Sequence, residues 1–185
     1  MKIYHNLNEI SNINNPVASI GMFDGVHTGH QQIFEDLINT AESMGGESVA
    51  ITFDTHPRMV LQHDAYKLKF INSYQEKVEL IEDKGIDHLI FLPFTREFSK
   101  QTTTDFVKNI LVKLLKIKAL LVGYDNRFGN KENNNFNELY KLSKEYHFVI
   151  KQSEIQYIDN VIVSSSIIRE ALDKGEIRNA NKLLG

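Results

Sequence analysis

The 185-residue chain carries 21 Lys and Arg against 24 Asp and Glu, a formal charge of −3, with 42% hydrophobic and 24% charged residues. That balance suits a soluble globular fold with a substantial core and argues against a nucleic-acid binder, while leaving room for a phosphate pocket built from backbone N–H groups. There is no cysteine, which removes disulfides, Cys-based zinc sites and thiolate nucleophiles. With no leader-like segment at Met1–Ile10 and no run of ~18 apolar residues, the expectation is one cytoplasmic domain, 1–185, without a membrane span.

Short apolar runs alternate with helix-period segments, which predicts a mainly parallel sheet covered by helices. Val17 to Gly21 reads as a first strand, and Gly29 to about Met44 as a helix with Ile33, Phe34, Leu37, Ile38 and Ala41 at helical spacing. Gly45-Gly46 stops that helix and Ser48 to Phe53 is a second strand. After an irregular section, Asp54 to Ile71, a capping box of Ser73 and Glu76 opens a helix that Gly85 stops. His88 to Pro93 is a third strand, and Thr103 or Thr104 caps a helix to about Lys116 with Phe106, Val107, Ile110, Leu111 and Leu114 on its apolar face. Ala119 to Gly123 is a fourth strand, Asn133–Asn135 leads into a helix through Tyr146, and Phe148-Val149-Ile150 starts a fifth strand. Ser164 to Leu172 and Glu176 to Leu184 are the last helices. The expected fold class is α/β: a Rossmann-like, doubly wound, mainly parallel five-stranded sheet with helices on both faces.

The segment from Gly21 to His30 lies between the first strand and the first helix, where ligands bind in open parallel sheets. Its glycines allow close backbone approach, and the helix start offers N–H groups and a positive dipole end to an anion. His27 and His30 can donate hydrogen bonds to phosphate oxygens as charge grows in a transition state. A bare H-x-G-H also fits polar surface; zinc ligation lacks a clear third ligand. Neither the P-loop nor G-x-G-x-x-G pattern occurs here.

Taken whole, Gly21, Phe23, Asp24, Gly25, Val26, His27, Gly29, His30 and Gln31 resemble the G-x-F-D-G-V-H-x-G-H-Q signature of prokaryotic FAD synthetases, within the HxGH nucleotidyltransferase superfamily. Three further segments match in order. Thr52-Phe53-Asp54-Thr55-His56-Pro57 resembles T-F-E-P-H-P, with Asp54 and Thr55 departing from it; alone, His56-Pro57 is a turn signal. Val122-Gly123-Tyr124-Asp125-Asn126-Arg127-Phe128-Gly129 resembles V-G-x-D-F-R-F-G, with Asn126 in place of the first Phe. Val163-Ser164-Ser165-Ser166-Ile167-Ile168-Arg169 resembles I-S-S-T-x-I-R; alone, the serine run is an N-cap. The resemblance covers nearly the entire chain.

The resemblance implies an FMN adenylyltransferase, moving AMP from ATP to FMN to give FAD and pyrophosphate. It implies His27, His30 and Arg169 as catalytic residues. The ATP set is Gly21, Phe23, Asp24, Gly25, His27, His30, Gly123, Ser164, Ser165, Ser166 and Arg169. Phe53, His56, Pro57, Arg58, Asp125 and Arg127 are expected on the flavin side. No protein metal site is expected, Mg²⁺ arriving on the substrate phosphates. In the family a riboflavin kinase domain commonly follows; Leu183-Leu184-Gly185 falls about where it would begin, so these residues are not expected to phosphorylate riboflavin. The competing readings are an HxGH nucleotidyltransferase for a different phosphorylated acceptor, and a non-catalytic nucleotide- or flavin-binding module.

Overall fold

A computed structural model describes residues 1–10, 12–61, 68–124 and 136–185. Its main sheet is wholly parallel: β1 (Lys2–Tyr4), β2 (Val17–Ile20), β3 (Ser48–Phe53), β4 (His88–Leu92), β5 (Ala119–Val122) and β6 (Val149–Gln152). The order is β1-β4-β3-β2-β5-β6, six strands where five were expected. The added strand is β1, which pairs Lys2 with His88 and Tyr4 with Ile90. Three residues at a sheet edge, only Tyr4 of them buried, are too short to show a period.

The strand order reverses between β2 and β5, neighbours through Val17–Ala119 and Ser19–Leu121. Side chains along these strands alternate between two cores. On one face α1 (Thr28–Ser43) and, after the short α2 (Pro57–Leu61), α3 (Tyr74–Glu82) place Phe34, Leu37, Ala41 and Ile81 over Val17, Ala50, Leu89 and Leu121. On the other, α4 (Thr103–Phe106), its π-helical continuation Val107–Leu114 and α5 (Phe136–Tyr146) cover Ala18, Ile20, Ile51, Leu120 and Val122. The capping box of α3 is present as expected, Ser73 Oγ accepting from the Glu76 N–H and the Glu76 carboxylate from the Ser73 N–H.

Two departures in the fourth helix have a common local origin. Its N-cap is Thr102, not Thr103 or Thr104: the Thr102 hydroxyl accepts from the Asp105 N–H at 3.0 Å. Further on, the Leu115 N–H reaches the Ile110 carbonyl, a five-residue step. The wider turn moves Leu114 off the buried face, leaving it 37% exposed, and puts Leu115 into the core at 4%. Phe148 likewise lies just outside the last strand of the sheet, since its N–H still closes the preceding helix on Ser143 O while its ring is buried.

The remaining chain forms a layer above the strand ends. A two-stranded antiparallel hairpin, β7 (Tyr157–Ile158) and β8 (Val161–Ile162), precedes α6 (Ser165–Asp173) and α7 (Ile177–Leu184). These helices share a small core of Val163, Ile168, Ala171, Ala180 and Leu183. They are tied to the start of α1, where Thr28 Oγ1 donates to Leu183 O at 3.1 Å and Gln31 Nε2 to Leu184 O at 2.8 Å.

Leu37 is fully buried under α1, so Leu37→Ala is expected to lower unfolding stability by ~2–5 kcal/mol through lost transfer energy and a residual cavity. Guanidinium denaturation checks this: the midpoint should fall while the slope stays unchanged.

Candidate active site

The loop joining β2 to α1 takes an unusual backbone path. Phe23 (φ 49°), Gly25 (φ 85°) and Val26 (φ 38°) all lie in the left-handed region, which costs ~1–3 kcal/mol for each residue that is not glycine. Burial compensates, since Phe23 and Val26 are each only 1% exposed. At Gly25 a side chain would also press on Ile71 and Leu184.

This path delivers His27 to the N-cap of α1. Its Nδ1 accepts the His30 N–H at 3.3 Å, which leaves the neutral ring's proton on Nε2. The two imidazoles stack with centroids 3.6 Å apart and planes 18° off parallel. Gly29 makes the stack fit, because a Cβ there would sit 3.2 Å from the His27 Nδ1. His30 meets Phe23 edge-on, and its enclosed Nδ1 has no hydrogen-bond partner. Burial lowers the His27 pKa to about 4, with Asp24 pulling the other way. Burial, the adjacent His27 and Lys77 hold His30 well below the ordinary value.

Asp24 is the junction of the site. Its Oδ1 accepts the Ile71 N–H at 3.0 Å and its Oδ2 accepts Arg169 Nη2 at 2.9 Å. The Ser165 hydroxyl donates to the Asp24 carbonyl at 2.9 Å. The carboxylate is 1% exposed and the guanidinium 14%. Two segments about 145 residues apart are therefore fastened together, and the starts of α1 and α6 belong to one cluster. Arg169 keeps a buried Nε without a partner.

The other expected residues divide three ways. Ser164 caps α6, accepting the Ile167 N–H at 3.4 Å, so its hydroxyl and that of Ser165 have internal duties, while Ser166 is exposed. Ser166, Arg58 and Arg169 line one open groove of about 390 Å³ together with the ion pairs Lys69–Asp173 and Lys174–Glu170, so residues expected on the flavin side and on the ATP side share a surface there. Pro57 begins α2, and the buried His56 accepts the Arg58 N–H on Nδ1 at 3.1 Å. Burial, then Arg169, lowers the His56 pKa to about 4. Phe53 stands apart from these contacts in an aromatic group with Phe94 and Phe98. Gly21 follows β2 and Gly123 follows β5, the neighbours at the reversal. Asp125 and Arg127 lie outside the described residues.

Sequence reasoning missed Lys77. It is 5% exposed on α3, and its Nζ donates to Met22 O at 3.0 Å, an oxygen that also accepts from Thr52 Oγ1. Its signal was a lysine four residues before Ile81 on the core-facing stripe of α3.

Two consequences are measurable. Asp24→Ala leaves Arg169 uncompensated, and is expected to cost ~3–5 kcal/mol in urea unfolding. His27, His30 and His56 are held below their ordinary 6.5, so the unfolded chain binds more protons than the fold. Their contribution is complete above pH 6.5 and is lost as pH falls toward 4. Urea midpoints should therefore drop across that window, and His56→Gln should flatten the drop.

Known proteins resemble this chain throughout. A family model described as FAD synthetase matches residues 9–167. A bifunctional riboflavin kinase/FMN adenylyltransferase of Buchnera aphidicola subsp. Schizaphis graminum (strain Sg) is 35% identical over 187 residues, covering 100% of this chain and 60% of that protein. The chain thus spans about 60% of the length of these curated relatives. A crystal structure described as a macrolide-efflux protein from Streptococcus pneumoniae superposes with a TM-score of 0.86 at 25% identity, covering 100% of this chain and 61% of that one. Pantoate-beta-alanine ligase from Francisella tularensis, complexed with beta-gamma ATP and beta-alanine, shares the fold at a TM-score of 0.62 and 17% identity, covering 100% of this chain and 78% of that one. Among the described residues no helix is long and apolar enough to cross a membrane. With the family match running from before β2 into α6, over the whole reversal of the sheet and both helix starts, the chain belongs to the FAD synthetase family.

Proposed function

We propose that residues 1–185 act as one adenylyltransferase unit that transfers AMP from ATP to FMN, giving FAD and pyrophosphate. The observation that carries this reading is the Asp24–Arg169 contact at 2.9 Å, which joins the His27–His30 helix start to the Ser164–Arg169 helix start. A binder of one anion needs a single such helix start; two converging starts suit two phosphate-bearing reactants. Membership of the FAD synthetase family makes FMN the acceptor of choice over other phosphorylated compounds. The riboflavin kinase named in the relatives is not assigned to these residues, and a cytoplasmic location belongs to the same reading.

In this scheme an FMN phosphate oxygen attacks the α-phosphorus of ATP. The bond to the bridging oxygen breaks, and pyrophosphate leaves with the electron pair. No side chain needs to become a nucleophile. The protein's work is alignment and the stabilisation of charge moving onto the leaving group. His27 presents Nε2–H because its Nδ1 is engaged as a helix cap, and it does so as a neutral donor at pH 7. Arg169, held on one side by Asp24, turns its remaining N–H groups toward phosphate oxygens. Arg58 and Ser166, lining the groove beside Arg169, are assigned to the acceptor phosphate. Phe23 and Gly25 shape the cradle, and Asp24 serves it as a brace, since both of its carboxylate oxygens are taken.

Mg²⁺ would supply charge neutralisation between the phosphates. In this reading the ion arrives on the substrate phosphates and is not held by a protein site of its own. Imidazoles and Arg169 then engage oxygens that the ion leaves uncovered.

Incubation with ATP, Mg²⁺ and FMN, followed by separation of flavins, tests the reading: FAD and pyrophosphate should appear in equal amounts. Product only with another phosphorylated acceptor would reassign the substrate, and tight nucleotide binding without product would make the chain a binding module. His30→Ala is expected to lower kcat by about 10²-fold or more, the scale for losing a transition-state donor. Turnover near wild type in a folded variant would remove His30 from the chemistry.

A further inference from the structure

The buried cluster around Met22 has an uneven charge balance. Arg169 and Lys77 are its enclosed cations, and Asp24 is the carboxylate that faces them. Asp24 has both oxygens engaged, one by Arg169 and one by the Ile71 N–H, so it attracts Lys77 without bonding it. Among the described residues Lys77 makes one hydrogen bond, to the Met22 carbonyl, although an ammonium has three donors. Enclosing an ammonium with a single neutral partner opposes folding, because water is given up for one carbonyl. Lys77 also lies near enough to His30 and His56 to push both imidazoles toward their neutral forms. Among the described residues the cluster encloses two cations, one carboxylate and three neutral imidazoles, a balance that an anion completes electrostatically.

Resting on the adenylyltransferase reading, we infer that Lys77 is a further substrate-binding residue. It supplies the uncompensated positive charge against which the phosphate chain of a nucleoside triphosphate settles at the His27–His30 pair. Its position explains why a lysine is kept on the buried stripe of α3, one turn before Ile81, where an apolar residue would cost less. The hydrogen bond to Met22 O fixes the ammonium under the loop that carries Phe23, Asp24 and His27.

The probe is inorganic pyrophosphate, titrated calorimetrically into the wild-type chain and into Lys77→Gln at several NaCl concentrations. Glutamine keeps a donor for Met22 O and removes only the charge, so a structural clamp survives it and a counter-charge does not. Lys77→Gln should bind pyrophosphate about tenfold more weakly or worse, the scale for losing one charged partner. Its affinity should also depend less steeply on salt, with the urea midpoint retained. Unchanged affinity and an unchanged salt slope would overturn the proposal, as would a wild-type chain that does not bind pyrophosphate. If Lys77→Gln does not fold, Lys77→Met takes the same test; failure of both to fold would make Lys77 a structural clamp and end the inference. The outcome separates from that of the function itself. FAD formation by a wild type whose pyrophosphate affinity is indifferent to Lys77 removes only Lys77. Lys77-dependent affinity in a chain that makes no FAD removes only the choice of FMN.

Discussion

Asp24 is where the architecture and the site become one problem. Its carboxylate takes the Ile71 N–H and the Arg169 guanidinium, and its carbonyl takes the Ser165 hydroxyl. Two stretches of chain far apart in sequence, the segment at Ile71 and the start of α6, are set against the β2–α1 loop by one residue. Buried ion pairs are weak contributors to stability when compared with well-packed apolar side chains. Their better-attested role is to fix one arrangement among several, and that is the role demanded here. A site made from two helix starts requires both to point at the same volume, and the start of α6 is aimed by its bonds to Asp24. The ties from Thr28 and Gln31 to the end of α7 hold the same layer from its other side.

The loop that carries Asp24 stores backbone strain, and the distribution of that strain is informative. Glycine relieves it at one left-handed position, Gly25, but Phe23 and Val26 sit in the same region with full side chains. A β-branched residue at φ 38° persists only where its surroundings overdetermine it. Here they do: Val26 and Phe23 are inside the core that α1 shares with the sheet. The apolar face of α1 therefore holds the loop in the shape that puts His27 at the helix cap and the two imidazoles in a stack. Core packing and site geometry cannot be varied independently in this fold.

The sheet's central strands and its long helices were legible because their apolar runs are long enough to show a period. The segments that carry the resemblance, where they fall among the described residues, lie at strand or helix ends, the positions at which such folds bind ligands. What escaped has physical reasons. β1 and the β7–β8 hairpin are two or three residues per strand, below the length at which alternation is visible. The π-helical turn depends on whether Leu114 or Leu115 enters the core, and both are leucine, so no pattern of residue types decides it. Asp24 was read as part of a nucleotide cradle; its role as a brace depends on the distant Ile71 and Ser165, which no local spacing encodes. Lys77 was passed over because a helical lysine ordinarily faces water, and only the packing of α3 shows that this one does not.

On the adenylyltransferase reading, the protonation states suit the cluster to receiving polyanions. Three imidazoles held neutral by burial add no charge to the two cations already enclosed, so the unliganded site avoids self-repulsion that the fold would have to offset. Each neutral ring still offers an N–H donor, and His27 has its donor nitrogen selected by the helix cap. When phosphates arrive, their negative charge favours the protonated form of any imidazole beside them. In the proposed reaction, the same rings that cost little without phosphates nearby would become stronger donors as charge builds on a leaving group. Stacking at 3.6 Å makes two imidazolium charges mutually unfavourable, so the pair is limited to one added proton. Further positive charge at that end must then come from outside the stacked pair, and Lys77 under the loop is the enclosed ammonium beside it, its pKa lowered by burial while Asp24 acts against that shift.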